Sequence, residues 1–269
     1  MTDDGIVNSN ILAQKNAHRR DVRIHFDEGP HIYTIDGKSD YTSVTTWNHS
    51  HFEEFDADKI IDKMMQSKFW EQNKYYGKTR DEIKKMWDDN RDEAARAGTE
   101  MHFHIECFYN DSLPANFDWT TCPERRYFMN FYSLYSHLIP YRTEWTVFHE
   151  DLKLAGSIDM SFKNSDGNVV IYDWKRSRGI VKTNAFNKYS TTECISHLPD
   201  TNFWHYSLQL NVYAFILESK YGEKVDGLYL VCLHPDNKNK NFQRIEVPWL
   251  RDEIKELCAF RKLQLEGLK

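Results

Sequence analysis

The spacing of apolar residues changes from a helical period to a strand period near the middle of the chain. Between Arg80 and Asn110, apolar residues recur three or four positions apart among many charges, which predicts a long amphipathic helix. Arg142–Phe148, Lys153–Phe162 and Val169–Trp174 alternate instead between apolar and polar residues. The spacer Asn164-Ser-Asp-Gly-Asn168 contains an Asp-Gly pair, which favours a tight turn. These patterns predict a meander of three antiparallel strands.

Further elements flank this meander. Val22–Phe26 and His31–Ile35 are short alternating runs that predict a β-hairpin near the N-terminus. Gly227–Leu233 is almost wholly apolar, as expected for a strand that is buried on both faces. The remaining predicted elements are helices over Phe55–Trp70, Tyr127–Leu138, Phe203–Lys220 and Arg251–Leu265 and a strand over Phe242–Val247. This order of elements predicts an α/β fold with an added N-terminal hairpin and helices.

The same pattern divides the chain into three segments. Residues 1–20 are expected to form a flexible tail. Residues 21–90 are expected to form the hairpin and a helical segment that packs on the core, and residues 91–269 to form the core itself. Within the core, the basic and poorly patterned stretch from Arg176 to Pro199 is expected to be a loop.

Composition limits the class of protein. With 40% apolar and 14% aromatic residues among 269, the chain has enough buriable surface to fold. Its longest apolar run, Leu228–Leu233, is too short to span a membrane, so no membrane association is expected. Five scattered cysteines without a CxxC pair indicate reduced thiols in the cytoplasm or nucleus and no iron–sulfur cluster. The N-terminus has the pattern of neither a signal peptide nor a mitochondrial presequence.

The strongest chemical signal lies on the predicted meander. Asp173 and Lys175 are two residues apart on one strand, so their side chains project from the same face. Asp159 lies on the preceding strand, which the meander brings alongside. Burying two carboxylates and an ammonium is costly unless the cluster is used, and Mg²⁺ or Mn²⁺ bound between the carboxylates would relieve their repulsion. The alternative interpretation is a structural salt bridge between Asp159 and Lys175.

Other polar residues are candidates for the same site. His102 and Glu106 share a helix face, so Glu106 could orient the imidazole for metal binding. Glu144 precedes Asp159 by one strand and could hold a metal-bound water. Gln209 and Tyr213 also share a helix face and could present an amide and a phenol to a phosphate or to the lysine. Taken singly, each of these residues is more often structural.

In order and spacing, these residues resemble the PD-(D/E)XK nuclease superfamily, and within it the RecB-like exonuclease branch. The resemblance covers about half of the chain, from Ala94 to Leu233. The matching motifs are Gly98–His102 (GTxxH), Glu144, Gly156–Asp159 (GxxD), Asp173–Lys175 (DxK) and Gln209–Tyr213 (QxxxY). The resemblance implies a restriction-endonuclease-like αβββαβ core. It also implies that Lys175 orients or activates the nucleophile and that metal is bound by His102, Asp159, Asp173 and the backbone carbonyl of Trp174.

The function implied is a divalent-metal-dependent nuclease that hydrolyses DNA phosphodiester bonds and leaves 5′-phosphates. An exonuclease that acts on single strands or strand ends, in DNA repair, replication or recombination, fits this branch best. The alternatives are an endonuclease for flap DNA or RNA and a catalytically inactive nucleic-acid-binding adaptor. The chain departs from many relatives in having Arg176-Ser177, where they have Thr, after the lysine.

The charge distribution indicates where nucleic acid would bind. A formal net charge of −6 argues against general coating of a polyanion. Residues 173–190 nevertheless combine five basic residues with Asp173 as their one acid. Phe186 and Tyr189 lie among these cations, and cations with stacking rings favour single-stranded nucleic acid. The substrate-binding candidates here are Arg176, Arg178, Lys182 and Lys188, and the alternative interpretation is a solvated loop.

Overall fold

The computed structural model describes residues 9–267 and shows a mixed α/β protein. Its helices are α1 (Ile11–Lys15), α2 (Val44–His49), α3 (Ala57–Met65), α4 (Arg80–Tyr109), α5 (Pro123–Leu134), α6 (Asn202–Ile216) and α7 (Arg251–Leu265). Its strands are β1 (Ile24–Asp27), β2 (Ile32–Ile35), β3 (Thr42–Ser43), β4 (Ile139–His149), β5 (Leu154–Lys163), β6 (Val169–Lys175), β7 (Val225–Cys232) and β8 (Gln243–Glu246). The predicted hairpin, meander and later strands are thereby confirmed, with ends that differ by a few residues.

One mixed sheet forms the centre of the fold. Strands β4, β5 and β6 form the antiparallel meander, β7 runs parallel to β6, and β8 is antiparallel to β7. The short β3 pairs in parallel with the start of β5, at Thr42–Leu154 and Ser43–Ala155. Since β6 and β7 are parallel, the connection between them crosses over the sheet, and α6 makes that crossover. The two-stranded sheet of β1 and β2 is separate.

Helices cover both faces of the sheet. On β6, Val169 and Ile171 belong to the apolar cluster that contains α6, α7 and α2. Tyr172 and Trp174 point to the opposite face, into the cluster that contains α4 and α5. This double burial explains why β6 and β7 are apolar along most of their length.

The side chain of Trp174 anchors the end of β6 in the core. Its indole is 2% exposed, and the rings of Phe128 and Phe131 meet it edge-on at centroid distances of 5.8 and 5.2 Å. Edge-to-face ring pairs of this kind contribute about 0.5–1.5 kcal/mol each beyond their burial. The backbone of Trp174 is therefore held in a defined position where the strand leaves the sheet.

Helix α4 is continuous over 30 residues and begins with a capping box between Thr79 and Glu82. Its first half packs Ile83 against Ile61 and Tyr75 in a small separate cluster. The second half inserts into the main core, and Gly98 lies between the two without ending the helix. The helix thus carries residues of its C-terminal half to the edge of the sheet.

The prediction of a flexible tail over residues 1–20 is wrong for the part that the structure describes, and residues 1–8 lie outside it. Leu12 in α1 is buried, and its N–H donates to Asn110 Oδ1 at 2.9 Å. Asn16 donates to the carbonyl of Tyr141 at 2.7 Å. The guanidinium of Arg20 forms an ion pair at 2.7 Å with Glu150. Polar contacts to distant residues order this segment. The spacing of apolar residues, from which helices and strands were predicted, carries no information about such contacts.

Besides α1, the structure adds two elements that the apolar pattern did not predict, β3 and α2. Both follow Tyr41 directly, and the Ser43 hydroxyl accepts from the N–H of Thr46 to cap α2. Trp47 and Val44 of this short helix enter the main core. No helix within residues 9–267 is long and apolar enough to cross a membrane.

Candidate functional site

The candidate site lies where β6 separates from β5. The two strands pair from Lys163–Val169 to Met160–Tyr172, and their pairing ends there. Asp159 and Asp173 are the next residues on each strand, so both carboxylates occur at the fork. The backbone N–H of Trp174 donates to Asp159 Oδ2 at 2.9 Å across it. This contact fixes the Asp159 carboxylate and leaves its second oxygen available for another partner.

Helix α4 supplies an imidazole to the fork. His102 Nε2 lies 2.9 Å from the carbonyl oxygen of Trp174, and Nδ1 lies 3.6 Å from Asp159 Oδ2. Nδ1 is also 3.8 Å from Glu144 Oε1. One potential ligand atom from each of His102, Glu144 and Asp159 lies within 4.8 Å of the others, a spacing suitable for one metal ion. These groups form a set of two oxygen donors and one nitrogen donor, and the Trp174 carbonyl lies beside the set, against the other ring nitrogen of His102.

An unusual backbone conformation brings Glu144 into this set. Its φ is +40°, in the left-handed region that non-glycine residues rarely adopt. The β4–β5 register resumes on both sides of it, at Thr143–Met160 and Trp145–Ile158. The Ser157 hydroxyl donates to Glu144 Oε2 at 2.8 Å and fixes the carboxylate. Strained backbone of this kind costs about 1–3 kcal/mol and is concentrated at functional sites.

Asp173 lies beside this group and forms an ion pair with Lys175. The two side chains share one face of β6, as predicted, and Lys175 Nζ lies 2.6 Å from Asp173 Oδ2. Asp173 is 2% exposed, and burial raises its pKa to about 6, an effect that Lys175 offsets only in part. The pKa of Lys175 is raised as well, because Asp173 and Asp159 outweigh its burial. The sequence-based interpretation of a salt bridge between Asp159 and Lys175 is not what forms; the direct partner of Lys175 is Asp173.

The site carries an excess of negative charge. Burial alone would lower the pKa of His102, but the carboxylates of Asp159 and Glu144 raise it to about 9. Burial also raises the pKa of Asp159. With the imidazole protonated, as this pKa implies at neutral pH, and with the Lys175 ammonium, the three carboxylates leave an excess of one negative charge, which becomes two when the imidazole loses its proton to bind a metal ion. A divalent cation would neutralise this excess and allow all three carboxylates to remain ionised.

A cleft of about 500 Å³ opens onto the site. Its walls come from α4, from β4 and β5 and from the N-terminal hairpin. Residues that line it include Phe26, Glu28, Thr99, Phe103, Glu106, Thr146 and Ser157, in addition to His102 and Glu144. The volume is within the range of small-molecule and nucleotide sites, and the acidic lining favours cations over a free polyanion.

The structure places Tyr213, one of the predicted residues, in the core, and leaves its partner Gln209 half-buried. Tyr213 is 3% exposed and packs under β5, where a Cβ added to Gly156 would lie 2.8 Å from its ring. Gln209 Nε2 donates to the Tyr213 hydroxyl at 3.3 Å. The expected contact of Tyr213 with a phosphate is therefore wrong, since the ring is enclosed by protein. The Gln209–Tyr213 pair of the QxxxY motif thus packs against Gly156 of the GxxD motif and supports strand β5, which bears Asp159.

The four basic candidates after Lys175 are spread along the loop. Arg176 is held by Glu124, with Nε at 2.8 Å from Oε1, and Lys188 forms an ion pair with Glu53 at 2.7 Å. Lys182 lies 4.6 Å from the ring centroid of Phe203. The Arg178 side chain is 84% exposed, with Asp236 at 3.7 Å. Acidic partners thus offset much of the positive charge that the sequence concentrates here.

Several contributors to the site were missed by the sequence interpretation. Ser157 orients Glu144, and Phe26 and Glu28 of the hairpin line the cleft. Tyr206 of α6 places its ring centroid 4.6 Å from Lys175 Nζ. Ser157 lies within the GxxD motif, so its position in the sequence could have identified it as a candidate. No sequence pattern points to Tyr206 or to the hairpin, because both reach the site only through tertiary packing.

Comparison with known proteins shows no family: no family model matches the chain, and no curated protein matches its sequence significantly. Any assignment of function therefore depends on the order of the sequence motifs and on the geometry of this site.

Proposed function

We propose that the protein is a metal-dependent nuclease of PD-(D/E)XK type, with Mg²⁺ or Mn²⁺ as its cofactor. The observation that supports this most strongly is the convergence of His102, Glu144, Asp159 and the Trp174 carbonyl at the fork of two strands, beside the Asp173–Lys175 pair. The carboxylates of Glu144 and Asp159 are hard oxygen ligands that suit these two ions, and the His102 imidazole supplies a nitrogen ligand beside them. From α4 to β7 the elements run ααβββαβ, which is an αβββαβ order with α5 added between α4 and β4, and this agrees with the same assignment.

Each residue has a defined task in this proposal. The bound ion would supply a Lewis acid and lower the pKa of an attacking water. His102, Glu144 and Asp159 hold it, and the Trp174 N–H keeps Asp159 turned toward it. Lys175 donates to the scissile phosphate, where negative charge increases during hydrolysis. Its ion pair with Asp173 keeps the ammonium charged and oriented before substrate binds.

The substrate we propose is DNA, engaged as a single strand or at a strand end. Phe186 is 77% exposed and Tyr189 is 47% exposed on the loop that follows Lys175. Exposed rings beside cations provide stacking surfaces for unpaired bases. The acidic cleft disfavours binding by charge alone, so stacking and the metal ion together would position the strand.

A cleavage assay with defined substrates tests the proposal. End-labelled single-stranded, double-stranded and flap DNA, covalently closed circular DNA and RNA are incubated with Mn²⁺, Mg²⁺ or chelator. We expect metal-dependent release of short products from linear single strands, with the closed circle left intact. Loss of the circle would identify an endonuclease, and cleavage of RNA alone would exclude DNA as the substrate.

Two variants and a matched control link that activity to the site. Asp159→Asn keeps an acceptor for the Trp174 N–H but removes the charge, and Lys175→Met removes the ammonium at similar volume. Asp226→Asn alters a carboxylate that Asn164 and Asn168 contact, next to the start of β7 and therefore at the opposite end of the sheet. We expect the first two variants to lose cleavage and the third to retain it. Equal activity in all three would exclude the proposed site.

A further inference from the structure

The ammonium of Lys175 is placed by two neighbours of different chemistry. One is the carboxylate of Asp173, at 2.6 Å. The other is the ring of Tyr206, whose centroid lies 4.6 Å from Nζ. Tyr206 belongs to the second turn of α6 and is half-buried, so its ring occupies the space between that helix and the end of β6. A cation at this distance from an aromatic face is attracted by the quadrupole of the ring.

Asp173 and Tyr206 would respond differently to a metal ion bound at the site. In the proposed nuclease, a cation held by His102, Glu144 and Asp159 would also attract the neighbouring carboxylate of Asp173. Its attraction for Lys175 then weakens, because one carboxylate is shared between two cations. The ring of Tyr206 carries no charge that a metal ion could neutralise. It would therefore continue to hold the ammonium when Asp173 does not.

Burial keeps the ring suited to this task. The pKa of the Tyr206 phenol is raised by its burial, so the phenol stays neutral over the working range of pH. A neutral phenol does not compete with the substrate phosphate for the charge of Lys175. The ring also blocks one side of the ammonium from solvent, which strengthens the interaction of Nζ with whatever anion enters from the cleft.

We infer that Tyr206 is a positioning residue that holds the Lys175 ammonium toward the scissile phosphate through the face of its ring. This inference rests on the proposed nuclease function. It assigns to Tyr206 an effect on the chemical step and little effect on substrate binding, because the ring contacts Lys175 and the lysine acts on developing charge. A partly desolvated cation–π contact corresponds to about a 10- to 30-fold effect on rate.

A series of substitutions at position 206 separates the ring from the hydroxyl. Tyr206→Phe keeps the ring, and we expect a kcat within about twofold of wild type. Tyr206→Met fills similar space without a ring, and we expect kcat to fall about 10- to 30-fold while KM for a single-stranded oligonucleotide changes less than twofold. Loss of activity in Tyr206→Phe equal to that in Tyr206→Met would overturn the inference, since the hydroxyl would then be the active group.

Fluorinated phenylalanines at position 206 provide a readout that does not depend on the stability of the methionine variant. Each added fluorine weakens the quadrupole of the ring and changes its volume little, so kcat should fall stepwise from Phe to trifluorophenylalanine. A kcat that is the same across the series would contradict the inference. Tyr229→Phe and Tyr229→Met serve as controls, because the ring of Tyr229 lies under Arg244, at 3.5 Å, and has no part in the site.

Lys175→Met, assayed in parallel, separates failure of this inference from failure of the proposed function. If Lys175→Met is inactive and the fluorinated series is flat, the nuclease assignment stands and Tyr206 has only a packing role. If Lys175→Met is fully active, the assignment of Lys175 and of the proposed nuclease site is itself wrong.

Discussion

Replacement of Gly156 by alanine probes the support beneath Asp159. An added Cβ would lie 2.8 Å from both Cε1 and Oη of Tyr213, whereas ordinary carbon contacts lie at about 3.5–4.0 Å. Tyr213 is 3% exposed and its hydroxyl accepts from Gln209, so the ring cannot move away freely. Relief of the clash therefore requires a shift of the buried helix α6 or of β5 by roughly 1 Å.

The expected loss of stability can be estimated from overpacked cores in other proteins. Extra methyl groups in tightly packed sites destabilise proteins by about 1–3 kcal/mol. For a chain of this length, each kcal/mol lowers the melting temperature by about 2–4 °C. We expect Gly156→Ala to lower the melting temperature by roughly 5 °C in a thermal scan and to shift the denaturant midpoint in the same direction. The matched control is Gly98→Ala in α4, which meets no atom within 4 Å and should stabilise the protein by about 0.5–1 kcal/mol.

A double substitution tests the cause of the destabilisation. If the clash with the ring is responsible, then Tyr213→Leu should cost less in the Gly156→Ala background than in wild type. A coupling free energy of about 0.5–3 kcal/mol is expected for two residues in contact. Additive effects, or a Gly156→Ala variant as stable as wild type, would refute the close packing of these two residues.

Two further predictions concern stability. Arg20→Ala should cost about 2–3 kcal/mol in denaturant unfolding, because its buried guanidinium binds Glu150 through two nitrogens; Arg19→Ala, at the exposed neighbour, should cost less than about 0.5 kcal/mol. Acidification should destabilise the fold through two buried histidines. Burial lowers the pKa of His51 and of His149 to about 4, which is below the value in the unfolded chain. The unfolded chain therefore binds protons first as pH falls, and the free energy of unfolding decreases. Each histidine should remove about 2 kcal/mol between pH 7 and pH 5, and His51→Gln should reduce the slope of unfolding free energy against pH; an unchanged slope would contradict this assignment.

The helices and strands of the core were predictable because their buried residues recur with the period of a helix or of a strand. Strand β6 is apolar on both faces, and that composition alone indicates a strand between two layers of helices. The meander then requires Asp159 and Asp173 to lie on adjacent strands. His102 was predictable as part of the GTxxH motif, and the structure places it after about six uninterrupted turns of α4.

The remaining features depend on tertiary contacts that no local pattern records. The left-handed backbone of Glu144 interrupts a strand whose composition is ordinary. Residues 9–20 lack a period because their order comes from hydrogen bonds to distant groups such as Asn110. Helical spacing predicted that Gln209 and Tyr213 share one face of α6, but it did not show whether that face lies in the core or in the cleft. The apolar character of α6 on all sides was a signal that Tyr213 would be buried.

The central claim is that Lys175 and the adjacent acidic group hydrolyse phosphodiester bonds with a divalent ion. The most direct test is the single-turnover rate of cleavage of an end-labelled DNA single strand by wild type and by Lys175→Met at saturating Mn²⁺. We predict metal-dependent cleavage by wild type and a rate lower by at least about 100-fold in the folded variant, as expected when one group that stabilises developing charge is removed. Equal rates for the two proteins, or no cleavage by wild type with any divalent ion, would contradict the account.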